Sequence, residues 1–85
     1  MNYLEKRYQQ LEENLKGISS NPKAMCETVS SAISFVVEWG LSYTIMIPTV
    51  SEAIVIKEFV NNIGCYFSRA ADKDCGSGLG YWISP

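Results

Sequence analysis

The sequence contains no histidine among its 85 residues. Histidine is the usual general base near neutral pH, a frequent metal ligand, and the residue that activates many catalytic serines and cysteines. Without it we expect neither a catalytic site nor a cofactor, and we predict that the protein is not an enzyme. An enzyme that relied on Cys75 or on a carboxylate is the remaining alternative.

Cysteine is also scarce, and its spacing does not suit a metal site. The three cysteines are Cys26, Cys65 and Cys75, and no Cys-x-x-Cys pair of the kind found in structural zinc sites occurs. A zinc ion would need Asp72 or Asp74 as a fourth ligand, so we predict no metal site. The odd number of thiols, with no apolar leader after the first residue, predicts a cytoplasmic protein.

Basic charge and long apolar runs are limited as well. Seven Lys and Arg residues stand against nine Asp and Glu, for a net charge of −2, and the basic residues are scattered. Nucleic-acid binding needs a clustered basic surface, so we predict none. The longest apolar run, residues 32–47, is interrupted by Glu38 and is shorter than the roughly 20 residues of a membrane span. We therefore predict no membrane segment.

Apolar residues are nevertheless abundant enough for a folded core, since 47% of the chain is hydrophobic. A chain of this length forms one small domain, here residues 1–85, and buries only about 60–65% of the surface that its unfolded form exposes. We expect such a domain to be only modestly stable.

Two helices are predicted in the first half of the chain. Apolar residues recur every three or four positions from Leu4 to Ile18, which predicts a helix over residues 2–16. Asn21 followed by Pro22 is a typical helix start, and Gly40 a typical end, so a second helix should occupy residues 22–39.

The second half should contain one helix and two strands. Thr49 and Glu52 match a capping box, so we predict a third helix over residues 50–70, with Gly64 inside it. Alternation of apolar and polar residues predicts a strand at 41–47, and composition predicts another at 80–84. The fold class is therefore α+β, mainly helical, with a minimal two-stranded sheet. If the second helix continued to Ile47, the fold would be an all-α bundle instead.

The glycine-rich segment 76–80 resembles a phosphate-binding loop only superficially. Such loops bind phosphate at the N-terminus of a following helix, and only five residues follow Gly80. We interpret the segment as a hinge before the final strand.

Two features suggest self-association as a homodimer. The first helix fits two heptads, with opposite charges beside an apolar stripe, and the residues of this candidate interface are Leu4, Arg7, Tyr8, Leu11, Glu12 and Leu15. Alternatively, the same stripe packs on the other helices of its own chain. An exposed edge of the small sheet is a second route to pairing with another copy.

The function that remains is stoichiometric binding of a protein partner. Tryptophan and tyrosine dominate interface hot spots, so the expected anchors are Trp39, Tyr43, Tyr81 and Trp82, with an acidic rim at Asp72 and Asp74. Small antitoxin-like or anti-defence inhibitors encoded by mobile elements share this size. The alternative is an oligomer that sequesters an anionic, nucleotide-like small ligand, using Tyr8, Lys23 or Arg69.

Overall fold

The fold is a layer of helices on one face of a small antiparallel sheet. The computed structural model describes residues 3–70 and 79–85. The elements in chain order are α1 (Tyr3–Leu15), α2 (Pro22–Trp39), β1 (Tyr43–Ile47), α3 (Val50–Asn62), β2 (Tyr66–Arg69) and β3 (Leu79–Ser84). The strands form one sheet in the order β1-β3-β2. The predicted class, α+β and mainly helical, is confirmed.

The limits of α2 follow the capping signals in the sequence. The side chain of Asn21 accepts a hydrogen bond from the backbone N–H of Ala24 at 3.2 Å, and Pro22 occupies the first turn. At the other end Gly40 has a φ of 67°, and its N–H donates to the carbonyl of Val36 at 2.9 Å. Glycine adopts this left-handed conformation without the steric cost that a Cβ brings. The helix therefore ends before β1, and the all-α alternative is wrong.

The third helix is shorter than predicted. It ends at Asn62 rather than at residue 70, because Gly64 adopts a φ of 93° and turns the chain out of the helix. Residues Tyr66–Arg69 then form β2, which pairs with β3. The sheet consequently has three strands rather than two.

The central strand, β3, pairs with both neighbours. Its Trp82 lies opposite Thr44 of β1 and opposite Ser68 of β2, while Ile83 lies opposite Tyr43 and Phe67. Successive side chains of a strand point to opposite faces, so this register determines which residues of all three strands share a face.

The core lies between the inner face of the sheet and the helices. Ile45, Ile47 and Ile83 of the sheet are at most 3% exposed, and they belong to one cluster with the buried residues of the helices. Helix α1 packs against α2 and α3, and its Leu11 and Leu15 are buried in that cluster. Within residues 3–70 and 79–85, no helix is long and apolar enough to cross a bilayer.

Candidate interaction surfaces

One face of the sheet carries no helix of the described chain. The alternation that places Ile45 and Ile83 in the core directs the intervening side chains outward. We call this surface the open face, and its side chains are Thr44, Met46, Tyr66, Ser68, Trp82 and Ser84.

The open face is aromatic and uncharged. Trp82 lies at its centre, half-buried between Thr44 and Ser68, and Tyr66 on β2 is 72% exposed. At the end of the sheet the hydroxyl groups of Ser42 and Ser84 are hydrogen-bonded at 2.8 Å. None of the six side chains that define this face is charged. Tyr66 was not among the interface anchors predicted from the sequence, because the segment around it was predicted to be helical.

A second aromatic group lies where α2 approaches the edge of β1. We call it the aromatic cluster, and it consists of Phe35, Trp39 and Tyr43. The ring of Phe35 lies 5.1 Å from that of Tyr43 and 6.4 Å from that of Trp39. Trp39 is 64% exposed and Tyr43 is 41% exposed. The structure therefore brings two predicted anchors, Trp39 and Tyr43, together through Phe35, which was not among the predicted anchors.

Tyr81 is a core residue rather than a surface anchor. It is 8% exposed, and its ring stacks on Phe67 with centroids 5.0 Å apart. The guanidinium of Arg69 lies 5.5 Å from the same ring and donates to the carbonyl of Gly80 at 3.1 Å. Tyr81 points inward because its neighbours in register, Ile45 and Arg69, lie on the inner face. Asp72 and Asp74, the predicted acidic rim, lie outside the described residues.

The α1 candidates for self-association mostly contact their own chain. Leu11 is 1% exposed and Leu15 is 0% exposed within the core, and the ring of Tyr8 lies 5.2 Å from that of Phe59. Because Leu11 and Leu15 cannot fill this core and a partner helix at once, the stripe has the intramolecular packing considered as the alternative.

The remaining α1 candidates lie nearer the surface. Leu4 is 39% exposed, while Arg7 and Glu12 are half-buried. The guanidinium of Arg7 lies 5.3 Å from the ring centroid of Tyr3.

The three residues considered for an anionic ligand lie on different elements. Tyr8 packs on α3, Lys23 is exposed in the first turn of α2, and Arg69 lies on β2. Arg69 lines a cavity of about 280 Å³ between α3 and β2, but neither of the other two residues lines it. The structure does not assemble them into one site.

Two free thiols, those of Cys26 and Cys65, are buried in the core. Burial raises the pKa of Cys26 and of Cys65, and the Sγ of Cys26 donates a hydrogen bond to the carbonyl of Tyr8 at 3.3 Å. A raised pKa keeps a thiol protonated near neutral pH and suppresses its nucleophilicity. Among the described residues no group of acidic, Cys or His side chains could hold a metal ion. Cys75 lies outside them.

At the free edge of β1, the backbone N–H and C=O groups of alternate residues point away from the sheet. The N–H of Ala70 donates to the carbonyl of Gly80 at 3.0 Å, so alternate residues of β3, including Trp82, bond to β2. Tyr81 and Ile83 must then bond to Ile45 and Tyr43 of β1. It follows that the N–H and C=O groups of the intervening β1 residues, Thr44 and Met46, point away from the sheet.

Comparison with known proteins identifies no relative. No protein-family model matches the chain, and no curated protein or solved structure shows a significant match. Any function must therefore be argued from the surfaces themselves.

Proposed function

We propose that the protein is a non-enzymatic binding module that acts stoichiometrically on a protein partner, and that the open face of its sheet contacts that partner. The observation that carries the proposal is the position of Trp82 and Tyr66 on a sheet face that no described helix covers. An inhibitor of a macromolecular target is the kind of activity that such a module would have.

The composition of the open face supports a protein partner. The centres of protein interfaces are depleted in charge and enriched in aromatic residues and methionine. Trp82, Tyr66 and Met46 fit that description, and Thr44 and Ser68 beside Trp82 can donate and accept hydrogen bonds. A nucleic-acid partner would need cations on this face, and its six side chains include none.

The geometry of the face also suits a binding surface. Trp82 lies on the central strand, and the residue opposite it on each neighbouring strand carries a hydroxyl group. Tyr66 lies two residues along β2 from Ser68, a diagonal distance of about 7–8 Å from Trp82 that two aromatic rings can span. A partner can therefore cover both rings at once, as the paired anchors of a hot spot.

The test compares two exposed tyrosines of similar accessibility. Tyr66 on the open face is 72% exposed and Tyr3 on α1 is 69% exposed, so either can be replaced by serine with little effect on folding. Tagged wild type, Tyr66→Ser and Tyr3→Ser would be expressed in the cells that make the protein, and captured material identified by mass spectrometry. We expect a protein captured in fixed ratio by wild type and by Tyr3→Ser, and lost with Tyr66→Ser.

Other outcomes would contradict the proposal. Equal capture by all three proteins would place the binding surface elsewhere. Thermal stabilisation of the purified protein by a metabolite or nucleotide, with no protein captured, would support the small-ligand alternative instead. Turnover of any substrate would exclude a purely stoichiometric role.

A further inference from the structure

We infer that the free edge of β1 and the adjoining surface of α2 pair with a second copy of this chain, giving a dimer with a continuous six-stranded sheet. This inference concerns a different surface from the open face and does not depend on the proposed partner. It rests on three features that complement themselves under a two-fold rotation: the backbone of β1, the side chains along α2, and the charges of α2.

The edge of β1 lacks the features that usually prevent pairing. Natural sheets protect their edges with proline, charged side chains or bulges. Residues Tyr43–Ile47 include no proline and no charge, and they pair with β3 in unbroken register. The outward N–H and C=O groups of Thr44 and Met46 have no backbone partner among the described residues. Such an edge is a template for another strand.

The outward groups of β1 are self-complementary. Thr44 and Met46 lie symmetrically about Ile45. A two-fold axis beside Ile45 places Thr44 opposite Met46 of the second copy, and Met46 opposite its Thr44. Each of these pairs exchanges two backbone hydrogen bonds in an antiparallel ladder. The dimer would therefore satisfy all four outward groups of each strand.

Along α2, the surface next to β1 carries three small side chains and one glutamate in its first half and aromatic rings in its second half. Ala24, Glu27, Thr28 and Ser31 line a shallow groove of about 410 Å³ together with Tyr43. Phe35 continues this line, and its ring lies against that of Tyr43. These α2 positions are three or four residues apart, so they share one side of the helix. Ser31 lies near its middle.

An antiparallel second copy fits this arrangement. With the axis beside Ser31, Phe35 of one α2 meets Thr28 of the other, and Trp39 meets Ala24. Bulky rings then lie over small side chains on both sides of the axis, which is the complementarity that close helix packing requires. Trp39 and Tyr43, which are 64% and 41% exposed in one chain, would lose exposed surface.

The axes required by the strand and by the helix lie within about one helical turn of each other. Thr28 lines one cavity with Met46 and the groove with Tyr43, so Ile45 lies level with the turn of α2 that contains Thr28, next to Ser31. Helix α2 packs over both β1 and β3. With strands about 4.8 Å apart, a helix above the line between β1 and β3 lies about 5 Å from the axis. Two such helices are then about 10 Å apart, a normal packing distance.

The charges of α2 complement each other under the same rotation. Lys23 is the only basic residue of α2, and Glu27 and Glu38 are its only acidic ones. Under the rotation that places Phe35 over Thr28, each Lys23 lies about 3 Å along the helix axis from the level of Glu38 of the second copy, a distance that the long lysine side chain can span. Two such pairs form in the dimer, while Glu27 faces the half of the partner helix that contains Phe35.

The first test is the mass of the purified protein in solution. Sedimentation velocity at increasing concentration should show a species of twice the 9.5 kDa chain mass. Ser31→Arg brings two like charges together at the axis and should return the protein to a monomer, with a rise in dissociation constant of at least about tenfold. Val37→Arg is the matched control, because Val37 is 71% exposed on α2 but lies off the surface next to β1. That variant should remain dimeric.

The second test identifies the strand pairing itself. In a monomer the amides of Thr44 and Met46 should exchange rapidly with solvent deuterium, while those of Ile45 and Ile47 are protected by β3. In the dimer all four should be protected, so the alternation along β1 should appear only in Ser31→Arg. A wild-type protein that stays monomeric at several hundred micromolar would overturn the inference. So would a dimer in which Thr44 and Met46 exchange as in the monomer, or one that Ser31→Arg leaves intact.

Discussion

Thr49 and Glu52 hold each other at the start of α3. The backbone N–H of Glu52 donates to Oγ1 of Thr49 at 3.2 Å, and the same hydroxyl donates to Oε1 of Glu52 at 2.7 Å. The sequence predicted a capping box, in which the glutamate would accept from the backbone N–H of Thr49. The side chains instead bond directly, which provides a partner for a carboxylate whose residue is only 2% exposed.

Removing the hydroxyl of Thr49 should destabilise the protein. Thr49→Ala loses the helix cap and leaves Glu52 without its donor, which should lower the free energy of unfolding by about 1–3 kcal/mol. Thr49→Ser retains the hydroxyl and should remain close to wild type. Urea unfolding followed by circular dichroism measures both. Equal stabilities for the alanine and serine variants would show that the side-chain pair contributes little.

The turn after α3 should tolerate only glycine well. Gly64 has a φ of 93°, and a Cβ built there would meet no atom within 4 Å, so any cost of substitution comes from the backbone conformation. Gly64→Ala should therefore reduce stability by roughly 1–2 kcal/mol. Gly64→Asn should cost less, because asparagine visits positive φ more readily. Equal thermal stability of the alanine and glycine proteins would show that a positive φ is not required at residue 64.

Stability should fall at alkaline pH because of three buried groups. Burial raises the pKa of Cys26, Cys65 and Tyr8. The folded state therefore keeps protons that the unfolded state releases. The stabilisation is complete at pH values below the pKa values that these groups have in the unfolded state, and it is lost as the pH rises through their pKa values in the folded state. The decline should begin near pH ~8.5 for the thiols and ~10 for the phenol.

The thiol part of this decline can be separated from the rest. In a Cys26→Ala/Cys65→Ala variant, the pH dependence of the free energy of unfolding between about pH 8 and 10 should be shallower than in wild type. The comparison uses slopes, because the alanines also remove packing at every pH. Identical slopes would mean that these two thiols ionise alike in the folded and unfolded states.

Local signals in the sequence predicted most of the fold, and the exception has a physical reason. Asn21, Gly40 and Thr49 act through hydrogen bonds and dihedral angles within a few residues, so they mark helix limits without knowledge of the rest. Residues 63–70 carry a helix-compatible apolar spacing as well as a strand-compatible one. Pairing with β3, more than ten residues away, selects the strand, and a local pattern does not contain that contact.

The candidate surfaces were predictable only in part for the same reason. Tyr81 and Trp82 are adjacent aromatic residues, so sequence alone cannot say which one faces the core. The register with β1 places Tyr81 opposite Ile45 and Trp82 opposite Thr44, and that pairing decides the question. Phe35 can be recognised as a candidate only from the contact between α2 and β1, and Tyr66 only from the pairing of β2 with β3.

The clearest remaining test of the core concerns the hydroxyl of Tyr8. Its Oη is buried and finds no hydrogen-bond partner among the described residues, while the ring packs against Phe59 at 5.2 Å. Burying a hydroxyl without a partner costs about 1–3 kcal/mol, because its hydrogen bonds to water are lost and not replaced. The ring of Tyr8 therefore stabilises the folded state, and its buried hydroxyl destabilises it.

Two substitutions at this position should therefore act in opposite directions. Tyr8→Phe removes only the oxygen and should raise the free energy of unfolding by about 1 kcal/mol or more. Tyr8→Ala removes the ring as well and should lower it by about 3–5 kcal/mol, because it leaves a cavity beside Phe59. Chemical unfolding of the two variants and wild type measures both effects. A Tyr8→Phe protein less stable than wild type would show that the hydroxyl is satisfied in solution, and that it holds α1 in place as well as the ring does.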